Sequence, residues 1–477
     1  MGRTNISQQY ILTLIAQSGS RGLSGGGCSD PGNAVQLQQK TLRAFGFIPV
    51  RNPRQLLNNN MKSGKYNRRK FLSSISTGAA GGLFMNTISP FSAVNAQTNS
   101  LLADQKIKDE YLFTDGLIYL NAGTLGPCRR DTLEATKKTW EELESLPVKF
   151  YGKFGAESLA EKTRTIAARF LGCDMSEMLV TNSTTNGMNS ISQGLRLKAG
   201  DRILTTDQEH GGGLLCWKYF AKYYGVVIDT IVIPPGENNA QSILNSINDA
   251  IRSETRLISI SHIFSSTGLR MPIAEISSIA RSKGILCIVD GAQAAGAIEV
   301  NVKELGCHAY ATSGHKWLMG PKGTGLLYLS KEVQDMIRPM QFEESYNTYN
   351  DSNGVLNLAG ILGLGKAIEY IESTGITKIE AHNLSLRNRL YERLSRMTNL
   401  TIMSPVMGPL ASPMLACRIP DTVDRTLFVR MLLDKHKISI RPTHKQWFNG
   451  IRFSLHIFNT EQEVDFAADI LHQELVK

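Results

Sequence analysis

From about residue 175 onward, short apolar segments alternate with stretches long enough to be helices, and this alternation restricts the fold more than any other feature. The segments that resemble strands are 178–181, 202–205, 226–229, 257–260, 285–289 and 309–312. Amphipathic pieces such as Ala240–Ile251 and Ala274–Ser282 lie between several of them. Strands joined by crossover helices form a mostly parallel sheet that is covered on both faces. The sequence therefore predicts an α/β fold whose ligand binds beyond the carboxyl ends of the strands.

A second unit follows a predicted helix at Leu358–Ser373. Its predicted strands are 414–419, 438–440 and 451–455, and its predicted helices are 426–435 and 461–474. This mixture of strands and helices predicts a smaller α+β domain over residues 358–477.

The net positive charge of the chain comes entirely from its first 96 residues. The formal net charge is +10, and residues 1–96 hold 11 of the 52 lysines and arginines but one of the 42 acidic residues. The remaining residues therefore hold 41 charges of each sign. A neutral body argues against nucleic acid as a partner.

The leader has the features of an export signal. Asn67-Arg-Arg-Lys-Phe-Leu72 is a twin-arginine motif, and the apolar stretch after it is too interrupted by polar residues to anchor the chain in a membrane. Val94–Ala96 offers a cleavage site with small residues. We expect residues 61–96 to be a twin-arginine signal peptide that directs the protein to the periplasm through the twin-arginine export machinery. Residues 1–60 are then a non-native or disordered extension, with Met61 as the true start; a disordered basic tail is the alternative.

Lys316 lies in a short polar segment between two apolar ones. The segment Ala311-Thr-Ser-Gly-His-Lys316 is followed by a glycine-rich turn and by the strand-like run Leu326–Leu329. A desolvated amine beside a cationic neighbour has a lowered pKa and becomes nucleophilic, as Schiff-base formation with an aldehyde cofactor requires. Taken alone, such a lysine is more often structural.

Three further segments place polar groups at predicted strand ends. Asn182–Asn189 opens a helix with hydroxyl groups, which suits a phosphate, although a Ser/Thr helix cap has the same pattern. His210 can stack on an aromatic ring, or it can be a surface histidine. Asp290 can pair with a protonated ring nitrogen, or it can cap the next helix. Lys316 follows Asp290 by 26 residues, which leaves room for one crossover, so the two can share one crevice. Together these are the requirements of pyridoxal 5′-phosphate (PLP) chemistry.

These segments, in this order, resemble the class V aminotransferase superfamily of PLP-dependent enzymes, which have fold type I. The resemblance extends from Ile118 to the C-terminus and covers cysteine desulfurases, kynureninase-like lyases and isopenicillin-N-epimerase-like proteins. It implies a large domain at 97–357 with a mostly parallel seven-stranded sheet, a small domain at 358–477, and a homodimer with active sites at the subunit interface.

The resemblance also implies the roles of ten residues. Lys316 forms the aldimine and carries the proton, and His210 stacks on the ring beside it as a second catalytic residue. The cofactor-binding residues are these two together with Thr184, Thr185, Asp290, Gln293, Ser313 and His315. Substrate binding falls to Arg452, in the segment Arg452-Phe-Ser-Leu-His-Ile-Phe-Asn-Thr460, and to Asn121. A planar guanidinium suits the α-carboxylate of an amino acid.

Two departures from the family pattern limit the assignment. Desulfurases need a nucleophilic cysteine in the small domain, and Ile440–Trp447 contains none. Where many relatives have Gly-Thr to reach the phosphate of the partner subunit, this chain has Gly354-Val355. Loops 120–130, 341–354 and 443–450 are expected to shape the substrate pocket.

The expected activity is that of an epimerase- or aminotransferase-like enzyme on an amino acid or a metabolite that contains one, through an external aldimine. A PLP-dependent lyase, kynureninase- or C–S-lyase-like, is the alternative, and a binding protein without catalysis is a third reading. A metal-dependent hydrolase and a metal site are disfavoured, because the histidines lack ligand spacing. Cys287 and Cys417 lie in apolar runs and are expected to be buried.

Overall fold

The computed structural model describes residues 105–150, 156–342, 346–348, 354 and 356–475. The predictions for residues 1–60 and 61–96 and for Val355 lie outside this part of the chain. Within it, none of the helices combines the length and the apolar composition that crossing a membrane requires.

In the described residues, sixteen α-helices and β-strands come before or include β8, the last strand of the large sheet along the chain. They are α1 (Gln105–Asp109), β1 (Ile118–Tyr119), α2 (Arg130–Ser145), α3 (Ala156–Leu171), β2 (Met178–Thr181), α4 (Thr184–Gly194), β3 (Arg202–Thr206), α5 (Gly211–Tyr224), β4 (Val227–Ile231), α6 (Ala240–Ala250), β5 (Thr255–Ser261), α7 (Ile273–Ser282), β6 (Leu286–Asp290), α8 (Val302–Leu305), β7 (Ala309–Ser313) and β8 (Gly325–Leu329). The others are α9 (Leu358–Thr374), α10 (Ile376–Leu394), β9 (Thr401–Ile402), β10 (Met414–Arg418), α11 (Arg425–His436), β11 (Ile438–Ser439), β12 (Arg441–Pro442), β13 (Gly450–Ser454) and α12 (Glu461–Leu475).

The large sheet has seven strands in the order β2-β8-β7-β6-β5-β3-β4. β8 is antiparallel to both of its neighbours, and the other five strands beyond it run parallel. This arrangement confirms the predicted mostly parallel seven-stranded sheet, and the predicted strand bounds differ from the observed ones by at most two residues. The strand sequences are nearly continuous apolar runs because strands such as β2, β7 and β8 are buried along their entire length.

The crossover helices bury one apolar face each. In α6, Ile243 and Ile247 are buried four residues apart, so they lie on the same face of the helix. Its first turn is capped by Asn239, whose side chain accepts hydrogen bonds from the N–H groups of Gln241 and Ser242. Local capping and apolar spacing thus agree with the tertiary position of this helix.

The second sheet is antiparallel, with the order β12-β13-β10-β9. Leu386, Leu390 and Leu394 of α10 are buried beneath it at helical spacing. Two features connect this region with the N-terminal part of the described chain. β1 pairs in parallel with β11 through Ile118 and Ile438, and α9 packs against α2 and α3.

Buried cysteines are part of the core. Cys287 in β6 and Cys417 in β10 are fully buried, as predicted, and the six cysteines of the described residues are all free thiols. In the same part of the chain, no group of three or more histidine, cysteine or carboxylate side chains could hold a metal ion.

The sheet brings the predicted polar residues to one edge. Asp290 is the last residue of β6 and Ser313 the last of β7, whereas Thr184 begins the helix after β2 and His210 precedes the helix after β3. Because these four strands run in the same direction, their carboxyl ends meet at this edge.

Candidate active site

The predicted phosphate site is built from the start of α4 and the end of β7. Ser183 caps α4 by accepting a hydrogen bond from the Asn186 N–H. The Thr184 N–H donates to Ser313 Oγ at 3.0 Å, and the two hydroxyl oxygens are 2.7 Å apart. Both side chains are buried. A helix N-terminus with adjacent hydroxyl groups is a binding site for an anion.

Two more predicted phosphate ligands border this corner. Nδ1 of His315 is buried and has no hydrogen-bond partner among the described residues. Thr185 is exposed in the first turn of α4, and a Cβ added to Gly212 would collide with its hydroxyl oxygen. The first turn of α5 therefore approaches α4 closely, and the absence of a side chain at Gly212 keeps the corner open.

Asp290 lies in the floor of the site. Its side chain is buried, and one carboxylate oxygen accepts a hydrogen bond of 3.0 Å from the Ala292 N–H. Burial raises the pKa of Asp290, and the nearby ammonium group of Lys316 opposes this shift. A Cβ added to Gly213 would lie 2.5 Å from the other carboxylate oxygen. Helix α5 therefore packs closely against the Asp290 carboxylate. Because this carboxylate is buried, it needs a cation, such as a protonated ring nitrogen, as its partner.

The amine of Lys316 lies close enough to Asp290 for the two charges to interact. The pKa of the Lys316 amine is lowered from 10.5 to about 8, chiefly by burial; Arg452 and Arg441 contribute to this shift, and Asp290 opposes it. At neutral pH a substantial fraction of this amine is uncharged and nucleophilic, in contrast to a lysine in water.

His210 caps helix α5. Its Nδ1 accepts a hydrogen bond of 3.1 Å from the Gly212 N–H, so the neutral ring carries its proton on Nε2. The pKa of His210 is lowered to about 4, chiefly by burial and in part by cationic groups that include Lys316 and Arg441. The imidazole is therefore neutral at physiological pH, which suits stacking on an aromatic ring.

Gln293 is held on both sides of its amide. Its NH₂ group donates to the Gly123 carbonyl at 2.9 Å, and its carbonyl oxygen accepts from the Trp317 indole N–H at 2.8 Å. Trp317 is fully buried. The two bonds fix the orientation of the amide and leave one N–H of Gln293 for another acceptor. Trp317 was not predicted, although it directly follows Lys316 in the sequence.

Arg452 is buried, with 2% of its surface exposed. One terminal nitrogen donates to the carbonyl and hydroxyl oxygens of Ser265 at 3.0 and 2.9 Å, and the other donates to Thr124 Oγ1 at 3.1 Å. Thr124 in turn donates to Asn121 Oδ1 at 2.6 Å. Asn121 therefore connects to the guanidinium group through two hydrogen bonds, by way of Thr124, whose hydroxyl group it orients.

The pKa of Arg452 is lowered to about 9, chiefly by burial and in part by the charge of Arg441. Within the described residues, no aspartate or glutamate forms an ion pair with this guanidinium, and its Nε is buried without a partner. A buried cation without a counter-charge is costly unless an anion binds to it. Arg452 is thus prepared for a carboxylate that comes from outside the chain.

Three neighbours of the site were not singled out from the sequence. Thr124 and Ser265 are the hydrogen-bond partners of Arg452, and neither stands in a recognisable motif. Glu209 is buried behind Asp290, where burial raises its pKa to about 7 and Ser261 and Thr206 donate hydrogen bonds to it. The one signal in the sequence for Glu209 was an acidic residue directly before His210.

A protein-family model, aminotransferase class-V, matches residues 118–466 of this chain. The chain belongs to the class-V aminotransferase family. It is similar to isopenicillin N epimerase of Streptomyces clavuligerus, with 27% identity over 77% of this chain and 97% of the relative. The apo structure of a cysteine desulfurase from Thermococcus onnurineus NA1 has a TM-score of 0.69 and 26% identity, and the match covers 78% of this chain and 98% of that one.

A mutant of the cystine C–S lyase C-DES, with glycine covalently linked to its PLP cofactor, has the same fold, with a TM-score of 0.68 and 20% identity over 76% of this chain and 98% of that one. Fold type I and an enzyme of the class-V aminotransferase type are confirmed. PLP is the cofactor. The residues present fit it, because the unpartnered Nδ1 of His315, the start of α4 and the buried carboxylate of Asp290 match a phosphate at one end and a protonated ring nitrogen at the other.

Proposed function

We propose that this enzyme acts at the α-carbon of an amino acid, or of a metabolite that contains one, in an epimerase- or aminotransferase-like reaction. The observation that carries this proposal is the buried guanidinium of Arg452, which has three hydrogen bonds to Ser265 and Thr124 and no carboxylate partner in the described chain. A bidentate bond to the substrate α-carboxylate would supply the missing negative charge.

The other side chains of the site would each have a separate role in the proposed reaction. Bound PLP supplies an electron sink for the negative charge that develops at the α-carbon. Asp290 keeps the ring nitrogen protonated, because its buried carboxylate needs a cationic partner. Lys316, with a pKa of about 8, would take the α-proton, since its amine changes protonation state near neutral pH. The site to which a proton is then returned, the opposite face of the α-carbon or another atom, decides between epimerisation, transamination and elimination. His210 stays neutral and covers the ring.

The loop Thr443–Asn449 favours proton transfer over sulfur transfer. It contains no cysteine, and His444, Lys445 and Gln446 are exposed there. A desulfurase needs a thiol that accepts sulfur at this position, so desulfurase activity is not proposed. A PLP-dependent lyase is the second candidate, because the fold also matches that of a cystine C–S lyase and elimination needs no thiol on the enzyme.

The three outcomes can be separated by one incubation. The cofactor-saturated enzyme is incubated with a panel of amino acids in D₂O, and the products are identified by mass and by chiral chromatography. Epimerisation gives the opposite enantiomer with deuterium at the α-carbon, transamination gives the 2-oxo acid and an aminated cofactor, and elimination gives ammonia with loss of the side-chain substituent. If none of the amino acids exchanges its α-proton and none changes the cofactor spectrum, the proposal is wrong.

We also infer export by the twin-arginine pathway and a homodimer. The basic leader with Arg68-Arg69 supports export, and this pathway carries folded proteins, so the cofactor would be loaded before transport. The resemblance to fold type I enzymes supports the dimer. Cell fractionation and light scattering test the two inferences separately.

A further inference from the structure

Two arginines lie side by side at the substrate end of the site. Arg441 of β12 is the antiparallel register partner of Arg452 of β13. Both donate to the same oxygen, Thr124 Oγ1, from Nη1 of Arg441 at 3.4 Å and from Nη2 of Arg452 at 3.1 Å. The hydroxyl proton of Thr124 is given to Asn121 Oδ1, so the oxygen presents its lone pairs to both guanidinium groups.

The proximity of the positive charges of Arg441 and Arg452 is unfavourable when no anion is bound. Like charges on directly opposed residues of two strands repel each other. Arg452 is buried and Arg441 is half-buried, so solvent screens the repulsion only partly. In the described part of the chain, no carboxylate forms an ion pair with either group, and Thr124 accepts the one side-chain hydrogen bond of Arg441.

Two anionic groups would be needed to neutralise the guanidinium groups of Arg441 and Arg452. The α-carboxylate of an amino acid balances one guanidinium, and the phosphate of the cofactor belongs to the start of α4, at the other end of the site. Arg441 is the more exposed of the two arginines, so an anionic group that it binds would lie nearer to solvent than a carboxylate bound by Arg452. Its cationic charge also reaches the groups around the reacting carbon, since it lowers the pKa of both Lys316 and His210.

We propose that Arg441 binds a second anionic group of the substrate, so that the preferred substrate is an α-amino acid whose side chain carries a carboxylate. This inference rests on the proposed function, in which Arg452 holds the α-carboxylate. The more exposed guanidinium selects the charge of the side chain, whereas the buried guanidinium selects the amino acid as a class.

Isosteric pairs of amino acids test this selection. The cofactor spectrum of the full-length holoenzyme is titrated with glutamate against glutamine and with aspartate against asparagine, whose members differ mainly in one charge. A charge-assisted hydrogen bond should make at least one acid bind about tenfold or more tightly than its amide. Arg441→Gln should remove that preference. Arg418→Gln, which changes an exposed arginine on β10 of the same sheet, should leave it intact.

A second measurement is independent of the chemistry on the cofactor. Calorimetry compares the binding of glutarate with that of its monoamide, neither of which has an amine. If glutarate binds more tightly than its monoamide and Arg441→Gln removes the difference, the inference is supported. If at the same time no amino acid changes the cofactor spectrum, only the proposed function is contradicted. Equal binding of acid and amide by the unchanged enzyme overturns the inference without any variant. Equal weakening of both by Arg441→Gln overturns it too, because Arg441 would then serve the α-carboxylate.

Discussion

The amine of Lys316 should titrate far below an ordinary lysine in the cofactor-free protein. Its pKa is about 8 instead of 10.5, because the amine is buried and lies near Arg452 and Arg441, with Asp290 acting in the opposite direction. A difference of this size makes the neutral fraction at pH 7 about 300-fold larger than for a free lysine side chain. The cause is tertiary, since none of these three neighbours is close to Lys316 in the sequence.

Competitive labelling measures this pKa directly. The cofactor-free protein is mixed with N-α-acetyl-lysine as an internal reference and is acetylated with a trace of labelled reagent at a series of pH values. Peptide mapping then gives the labelling of Lys316 relative to the reference amine. We expect the labelling of Lys316 to rise with a midpoint near pH 8, since only the deprotonated amine reacts.

Two arginine variants show whether the cause is correct. Arg452→Gln removes a nearby positive charge, so the midpoint for Lys316 should move to higher pH. Arg418→Gln removes an exposed arginine that is paired with Asp421 and should leave the midpoint unchanged. A midpoint for Lys316 that coincides with that of the reference amine would refute the reasoning, as would an equal response to both variants.

Three further outcomes are expected. Trp317→Phe and Trp217→Phe each remove one buried indole hydrogen bond, to Gln293 and to Ser259 at 2.8 and 2.7 Å, so both should lower the free energy of unfolding by about 1–3 kcal/mol in denaturant titrations. Only Trp317→Phe should also weaken PLP binding in an absorbance titration, because it frees the Gln293 amide, and equal PLP affinity of the two variants would contradict that role. Substitution of Arg68-Arg69 by two lysines should retain the precursor in the cytoplasm, as fractionation would show; unchanged export would exclude the twin-arginine route. Light scattering of the holoenzyme should give the mass of a dimer, and a monomer that retains activity would contradict an active site shared between subunits.

The central sheet could be predicted because its local signals agree with its tertiary environment. The strands that end at Thr181, Asp290 and Ser313 are buried on both faces, so selection for burial leaves short continuous apolar runs in the sequence. The polar residue that follows each run marks the edge at which the parallel strands end. This reasoning pointed to the segment Asn182–Asn189, His210 and Asp290, whereas the individual cofactor-binding roles were predicted from the resemblance to the family.

The partners of those residues could not be predicted in the same way. Gln293 is oriented by Trp317 and Gly123, which lie 24 residues after it and 170 residues before it in the chain. Thr124 contacts Arg452 across 328 residues. Such contacts depend on how the N-terminal segment folds back against the second sheet, and neither residue type nor periodicity carries that information.

The sequence by itself determined the sheet, the order of the polar residues along its edge and the cofactor, because strand burial and residue chemistry are local properties. The tertiary structure decided the electrostatics. The low pKa of Lys316 and the unbalanced pair Arg441 and Arg452 arise because burial removes water from charges that distant segments bring together. Desolvation and Coulomb interactions depend on distances in space, and those distances exist only in the folded chain.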